Sequence, residues 1–94
     1  MGEYAELQIE ADIYRAQRDV LRHERELRRG RNREVINRSG LKHKVTNNGE
    51  CFCFREKGKP RVDFYPSTGR WRVVGQSLTY KGGAERFLRW YTEQ

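Results

Sequence analysis

Arginine and lysine recur at alternate positions through the middle of the chain, and that spacing decides what chemistry they could share. Side chains alternate between the two faces of a β-strand. Sorted that way, residues 41–74 give one set reading Leu41, His43, Val45, Phe52, Phe54, Val62, Phe64, Trp71 and Val73. The other set reads Lys42, Lys44, Cys51, Cys53, Arg55, Arg61, Asp63, Tyr65, Arg70, Arg72 and Val74. The first is a core face. The second carries six bases (Lys42, Lys44, Arg55, Arg61, Arg70 and Arg72) against a single acid, Asp63. Arginine forks hold phosphates and carboxylates or read guanine edges, and a tyrosine such as Tyr65 offers a ring on which an unpaired base can stack. The rival account is a solvated face whose charges discourage edge-to-edge aggregation, with Asp63 and Arg72 as an ordinary cross-strand pair. A face built only for solubility mixes signs, which favours a binding surface.

Other candidates carry less. Arg22, Arg25, Arg28, Arg29, Arg31, Arg33 and Arg38 form a second basic cluster. It could extend a nucleic-acid footprint through sequence-blind phosphate contacts, but the interleaved Glu24, Glu26 and Glu34 suit simple pairing along a helix. Lys81-Gly82-Gly83 stands before a closing helix, where free amides could hold an anion; no P-loop spacing accompanies it. Cys51, Cys53 and His43 fail as a zinc site, because His43 belongs to the opposite face and a fourth ligand is missing. No nucleophile arrangement is recognisable, and the sheet lacks paired carboxylates. The expectation is a non-enzyme with no metal, no cofactor and no small-molecule substrate.

The elements that position the basic face are a meander of four antiparallel strands. Asn48-Gly49 suits a two-residue type I′ turn, which sets Val45 opposite Phe52. Glu56-Lys57-Gly58 suits a three-residue loop, which sets Phe52 opposite Val62. Pro66-Ser67-Thr68-Gly69 suits a four-residue loop, which sets Phe64 opposite Trp71 and Asp63 opposite Arg72. A slip of one residue in any hairpin would turn an aromatic residue to the wrong face. Beyond the meander, residues 75–83 read as a loop or short edge strand carrying Leu78 and Tyr80. Residues 84–91 read as a helix whose Ala84, Phe87, Leu88 and Tyr91 cover the apolar side. The expected heart of the core is Phe52, Phe64, Trp71, Val73, Phe87 and Leu88.

Ahead of the sheet, residues 4–29 contain neither glycine nor proline and read as one long helix. Its apolar positions fall into two stripes on nearly opposite sides. One is Ile9, Ile13, Ala16, Val20 and Leu27, with His23 in the gap. The other is Tyr4, Leu7, Ala11, Tyr14 and Leu21. A small sheet covers only one, so the second is expected to meet another subunit or a partner protein. The helix begins acidic and ends basic, which complements its dipole and would let two copies pair antiparallel. Gly30 is expected to stop the helix, leaving residues 30–40 as a basic connector with one further turn around Glu34-Val35-Ile36. The domain reading is one unit over 1–94: helix 1–29, connector 30–40, sheet and closing helix 41–94.

A chain of 94 residues with net charge +7 allows one small domain and favours polyanionic partners or an acidic protein surface. No apolar run spans a bilayer, and the acidic start is unlike a signal peptide. Glu6 stands where a myristoylation signal wants Ser or Thr. Two same-face cysteines two residues apart are poorly placed to bridge, which suits a reducing compartment. A cytoplasmic, membrane-free protein is expected.

The stretch VDFYPSTGRWRVVGQSLTYKGGAERFLRWY, Val62 to Tyr91, resembles the C-terminal part of short accessory proteins of tailed phages and prophages. The opening MGEYAELQIEADIY is similar to the start of other short phage reading frames. The resemblance implies the cytoplasm of a bacterial host and a small accessory role. Such roles include DNA-binding proteins and inhibitors of host defence, CRISPR interference among them. Sheet-plus-helix topology also looks like the AP2 and integrase-arm DNA-binding domains, as fold analogy. It looks less like a double-stranded RNA-binding domain, because Lys81-Gly82-Gly83-Ala84 stands where that family has a lysine cluster. The sequence thus predicts an α+β homodimer that binds nucleic acid through Arg55, Arg61, Tyr65, Arg70, Arg72, Lys42 and Lys44. The alternative is a phage-encoded, anti-CRISPR-like inhibitor whose same charge meets an acidic surface of a host protein or defence complex.

Overall fold

Alternating side chains and turn chemistry build an antiparallel sheet with a helix at each end of the chain. The computed structural model describes the backbone of residues 2–94 and the side chains of Ile13 and residues 15–94. Helix α1 (Gly2–Ser39) leads into β1 (Lys44–Thr46), β2 (Cys51–Phe54), β3 (Val62–Tyr65), β4 (Arg70–Val73) and β5 (Thr79–Lys81), and α2 (Gly83–Thr92) closes the fold. The strands lie side by side in sequence order, giving a sheet of five strands where four were expected. The additional strand is the segment carrying Tyr80. That ring stacks on Trp71 with centroids 5.6 Å apart, and the two residues are directly paired across β4 and β5.

Two of the three hairpins have the expected register. Val45 faces Phe52. The turn between them holds Asn48 at φ 54° and Gly49 at φ 88°, closed by the Glu50 N–H donating to the Asn47 carbonyl at 3.0 Å. Positive φ at both central positions is the type I′ geometry that Asn-Gly favours. Phe64 faces Trp71 and Asp63 faces Arg72. The β2–β3 hairpin differs: Phe52 faces Phe64 and Phe54 faces Val62. Its loop is longer because Lys59 and Glu56 reach away to α2. Lys59 Nζ donates to the Tyr91 carbonyl at 3.1 Å, and the Tyr91 hydroxyl donates to Glu56 Oε2 at 3.3 Å. A cation at the last carbonyls of a helix also suits its dipole. The shift is even-numbered, so every side chain keeps its expected face.

The core lies between the sheet and α2, and it is mostly aromatic. Phe87 sits at its centre, with ring centroids 4.9 Å from Phe54 and Phe64, 5.5 Å from Trp71 and 5.5 Å from Tyr91. Such tilted and offset contacts contribute beyond the area they bury. Of the expected core, Phe52, Phe64, Trp71 and Phe87 are buried. Val73 and Leu88 sit half-buried at its margin, and Phe54, Val62, Tyr91 and Ile36 take the interior. Val45 is on the core side of the sheet but exposed, because β1 is an edge strand that α2 does not reach.

The connector expected at residues 30–40 is instead the last part of α1, which passes through Gly30 and ends at Ser39, before Gly40 at φ 72°. Glycine inside a helix costs about 1 kcal/mol relative to alanine. Tertiary packing outweighs that here, because the following turns bring Ile36 to 0% exposure and bury Asn32 against the sheet end. It is these turns that dock on the domain. Ile13, Val20, Leu21 and Leu27 stand 52–60% exposed. The side chains of Ile9 in the first stripe and of Tyr4, Leu7, Ala11 and Tyr14 in the other lie outside the described residues. Thirty-eight residues of helix run about 57 Å at 1.5 Å per residue, so most of α1 projects beyond the sheet. Among the described residues, no helix is long and apolar enough to cross a membrane.

Candidate nucleic-acid interface

The side of the sheet away from α2 presents three rows of side chains, fixed by the strand registers. One row reads Thr46, Cys51, Tyr65, Arg70 and Lys81; the next reads Lys44, Cys53, Asp63, Arg72 and Thr79. Arg55 and Arg61 make the third, beside Lys42 before β1. Lys42, Lys44, Arg55, Arg61, Arg70, Arg72 and Lys81 are all exposed, while Tyr65 is half-buried. Burial pushes the Tyr65 hydroxyl above its ordinary pKa, which keeps it a neutral donor beside the cations. At about 4.8 Å per strand the face is about 19 Å across.

One pairing differs from the sequence reading. Asp63 lies opposite Arg72, but its carboxylate is taken by Arg55 Nη2 at 2.8 Å. Arg55 Nη1 also donates to the Phe54 and Val62 carbonyls at 3.0 and 3.1 Å. Three acceptors around one guanidinium make Arg55 a clasp for the β2–β3 hairpin. The Asp63 contact also raises its already high pKa. The only acid on this face is therefore spent on the least available of its bases. Among the described residues, Lys42, Lys44, Arg61, Arg70, Arg72 and Lys81 have no ion-pair partner.

The basic surface does not stop at the sheet. Past Arg70 and Lys81 it turns over the edge into a concavity of about 500 Å³ that is also lined by Arg28 and Arg31 of α1 and Arg86 of α2. Three features that look separate in sequence thus meet: the sheet face, the helical arginine cluster and the Lys81-Gly82-Gly83 segment. The remaining members of the arginine cluster lie outside the concavity. Arg38 pairs with Glu34 one turn away, Arg29 reaches Glu50 at 2.7 Å, and Arg22 and Arg25 stand exposed along the projecting helix.

Asn32 holds this junction together. Its Nδ2 donates to the Pro66 carbonyl at 2.7 Å, and its Oδ1 accepts from the Ala84 N–H at 3.1 Å, both bonds buried. One amide side chain thereby ties α1 to the β3–β4 loop and caps α2 from a distance. Gly83 N–H donates to the Gly69 carbonyl at 3.0 Å, and a Cβ on Gly69 would meet Gly83 Cα at 2.9 Å, so the loop needs glycine there. Two leading amides of α2 are consequently occupied, so they are not the free donors that the sequence offered for an anion. A lone Asn in a polar helical segment gave no signal of this role, because its partners are 34 and 52 residues away.

Cys51 and Cys53 are free thiols with Sγ atoms 3.7 Å apart. With an Asp63 oxygen their sulfurs fall within 4.8 Å of one another. Asp63 is engaged by Arg55, and His43 lies on the other side of the sheet, stacked 5.3 Å from Phe54. Burial, and next the neighbouring Cys53, push the Cys51 thiol up to about 11, away from the thiolate a metal needs. Comparison with known proteins finds no matching family model, no matching curated protein and no matching solved structure.

Proposed function

We propose that the chain is a small, non-enzymatic binding module that engages nucleic acid through the outer face of its sheet. The observation that carries this reading is the imbalance of that face: exposed bases on all five strands or beside them, with the one acid already neutralised within the fold. Like charges gathered without counter-charges repel one another, and a polyanion relieves that repulsion while releasing its own counterions. Arg61, Arg70 and Arg72 would make forked contacts, Lys44, Lys42 and Lys81 phosphate contacts, and Tyr65 an aromatic contact beside Arg70. Arg55 serves mainly to hold the hairpin.

The second part of the proposal is self-association through α1. Ile13, Val20 and Leu27 recur every seven residues and are each more than half exposed. That is the period of a two-helix seam, and a second copy of the same helix would supply it.

The test is binding of random-sequence duplex and single-stranded DNA across a salt series. If Arg61, Arg70, Arg72, Lys44, Lys42 and Lys81 all neutralise phosphates, the log–log slope on duplex would be roughly −5. The double substitution Arg70→Ala with Arg72→Ala leaves the core untouched and should weaken binding by at least ~2 kcal/mol, about one for each lost forked contact. A folded double variant with full affinity would reduce the face to a solvated surface. Absence of any salt-dependent nucleic-acid binding would transfer the same residues to an acidic protein surface, as in a counter-defence inhibitor.

A further inference from the structure

We propose that the concavity between α1, the β3–β4 loop and the start of α2 is a site for a multiply charged phosphate group, either a phosphate monoester or a pyrophosphate. Arg28, Arg31, Arg70, Lys81 and Arg86 converge on it from four separate elements, and no acid lines it. Three arginines elsewhere are matched with carboxylates: Arg29 with Glu50, Arg38 with Glu34, Arg55 with Asp63. Here the fold brings five cations together and gives them none. Arg28 alone is partly engaged, through Nη1 to the Ser67 carbonyl at 3.2 Å.

The chemistry of the ligand follows from charge and from the state of the floor. A backbone phosphodiester carries one negative charge and is met by one or two bases. A monoester carries about −1.5 to −2 near neutral pH, with three strong acceptor oxygens, and can engage several guanidinium forks at once. The floor is rigid before any ligand arrives, because Asn32 bonds both walls and Gly69 lies in backbone contact with Gly83. A preorganised site spends little on ordering itself. Since the Gly83 and Ala84 amides are already bonded, recognition comes from side chains that enter from different directions.

The decisive measurement is calorimetric titration of the full chain with pyrophosphate at 150 mM salt. Saturable one-site binding is expected. Arg31→Ala with Arg86→Ala, both exposed residues whose loss should leave the fold intact by circular dichroism, should weaken it at least tenfold. Arg22→Ala with Arg25→Ala removes the same charge from α1 outside the concavity and should change it less than twofold. Arg61→Ala with Arg72→Ala, which removes sheet-face bases only, should likewise leave it unchanged, so loss of nucleic-acid binding by the sheet and loss of this site are separable. No saturable binding by the wild type, or equal weakening by all three pairs, overturns the proposal. A paired oligonucleotide comparison then identifies the source. At least fivefold preference for a 5′-phosphorylated strand over its 5′-hydroxyl twin, lost in the Arg31/Arg86 variant, assigns the phosphate to a strand end. Pyrophosphate binding without that preference assigns it to a free phosphate compound.

Discussion

Replacing Asn32 with alanine should destabilise the protein far more than its place in a basic, polar helical segment suggests. The side chain makes two buried hydrogen bonds, 2.7 Å to the Pro66 carbonyl and 3.1 Å from the Ala84 amide. The Ala84 bond is in effect a helix cap delivered by another helix, and loss of such a cap costs about 1–2 kcal/mol. The Pro66 carbonyl would be left buried without a donor, adding about 1–2 kcal/mol. Alanine returns a few tenths as the better helix former. The net expectation is about 2–4 kcal/mol, which in a chain of this size lowers Tm by roughly 10–25 °C. Urea unfolding followed by tryptophan fluorescence reports it directly, since Trp71 is 2% exposed at the core. Asn37→Ala makes the same exchange on the exposed side of the same helix and supplies the propensity gain alone. A midpoint for Asn32→Ala within ~0.5 kcal/mol of the Asn37→Ala control, at unchanged m-value, would refute the argument that this amide ties the junction together.

Trp71→Ala should cost about 3–5 kcal/mol, while Trp71→Phe should cost clearly less. The indole Nε1 is buried with no partner among the described residues, so phenylalanine discards an unsatisfied donor while keeping a ring; equal costs in chemical denaturation would contradict this. Sedimentation should show a dimer at ~100 μM, well above the micromolar constants of weak interfaces, and Val20→Asp should return a monomer; a wild-type monomer there would remove the case for a helix seam. The Cys51 thiol has a folded pKa of about 11 against an ordinary 9.0. Between those values the folded state keeps a proton that the unfolded state has lost, so stability falls as pH rises through that window. Tyr65 and Tyr91 are also shifted upward by burial and add to the decline at its alkaline end. Cys51→Ala should flatten the profile relative to wild type between pH 9 and 11 in pH-stepped urea melts, and superimposable profiles would count against a buried titrating thiol. Gly69→Ala should disorder the junction, because its Cβ would lie 2.9 Å from Gly83 Cα at a φ of 71°; a melting curve within 2 °C of wild type would show that the loop can yield.

The sheet was legible because period-two patterning and turn residues are local signals that reinforce one another. Asn48-Gly49 and Pro66–Gly69 each dictated a register without help from the rest of the chain. The β2–β3 register was not legible, since what lengthens that loop is Lys59 and Glu56 reaching Tyr91, more than thirty positions away. Gly30 misled for the opposite reason: its local preference is weak, and the burial of Asn32 and Ile36 overrode it. Six bases of the sheet face were found by alternation, Lys81 on the unexpected β5 was not, and two further facts needed coordinates. Arg55 prefers the diagonal Asp63, leaving Arg72 free, and Arg28, Arg31 and Arg86 join Arg70 and Lys81 only because α1 continues past Gly30 and docks beside α2. The Lys81-Gly82-Gly83 segment lies beside these cations, but its Gly83 amide and that of Ala84 are already bonded within the fold.

The even-numbered offset in the β2–β3 hairpin bears on how this fold could tolerate insertions and deletions. Lengthening that loop by two residues slides one strand along its neighbour and leaves aromatic rings and guanidinium groups on their own sides. Lengthening it by one would exchange the two populations, burying arginine and exposing phenylalanine. The opposite end of the sheet has no comparable latitude, because the β3–β4 loop is gripped at Pro66 by Asn32 and at Gly69 by Gly83. Viable descendants of this sequence should therefore vary in loop length by steps of two at one end of the sheet and keep a fixed length at the other.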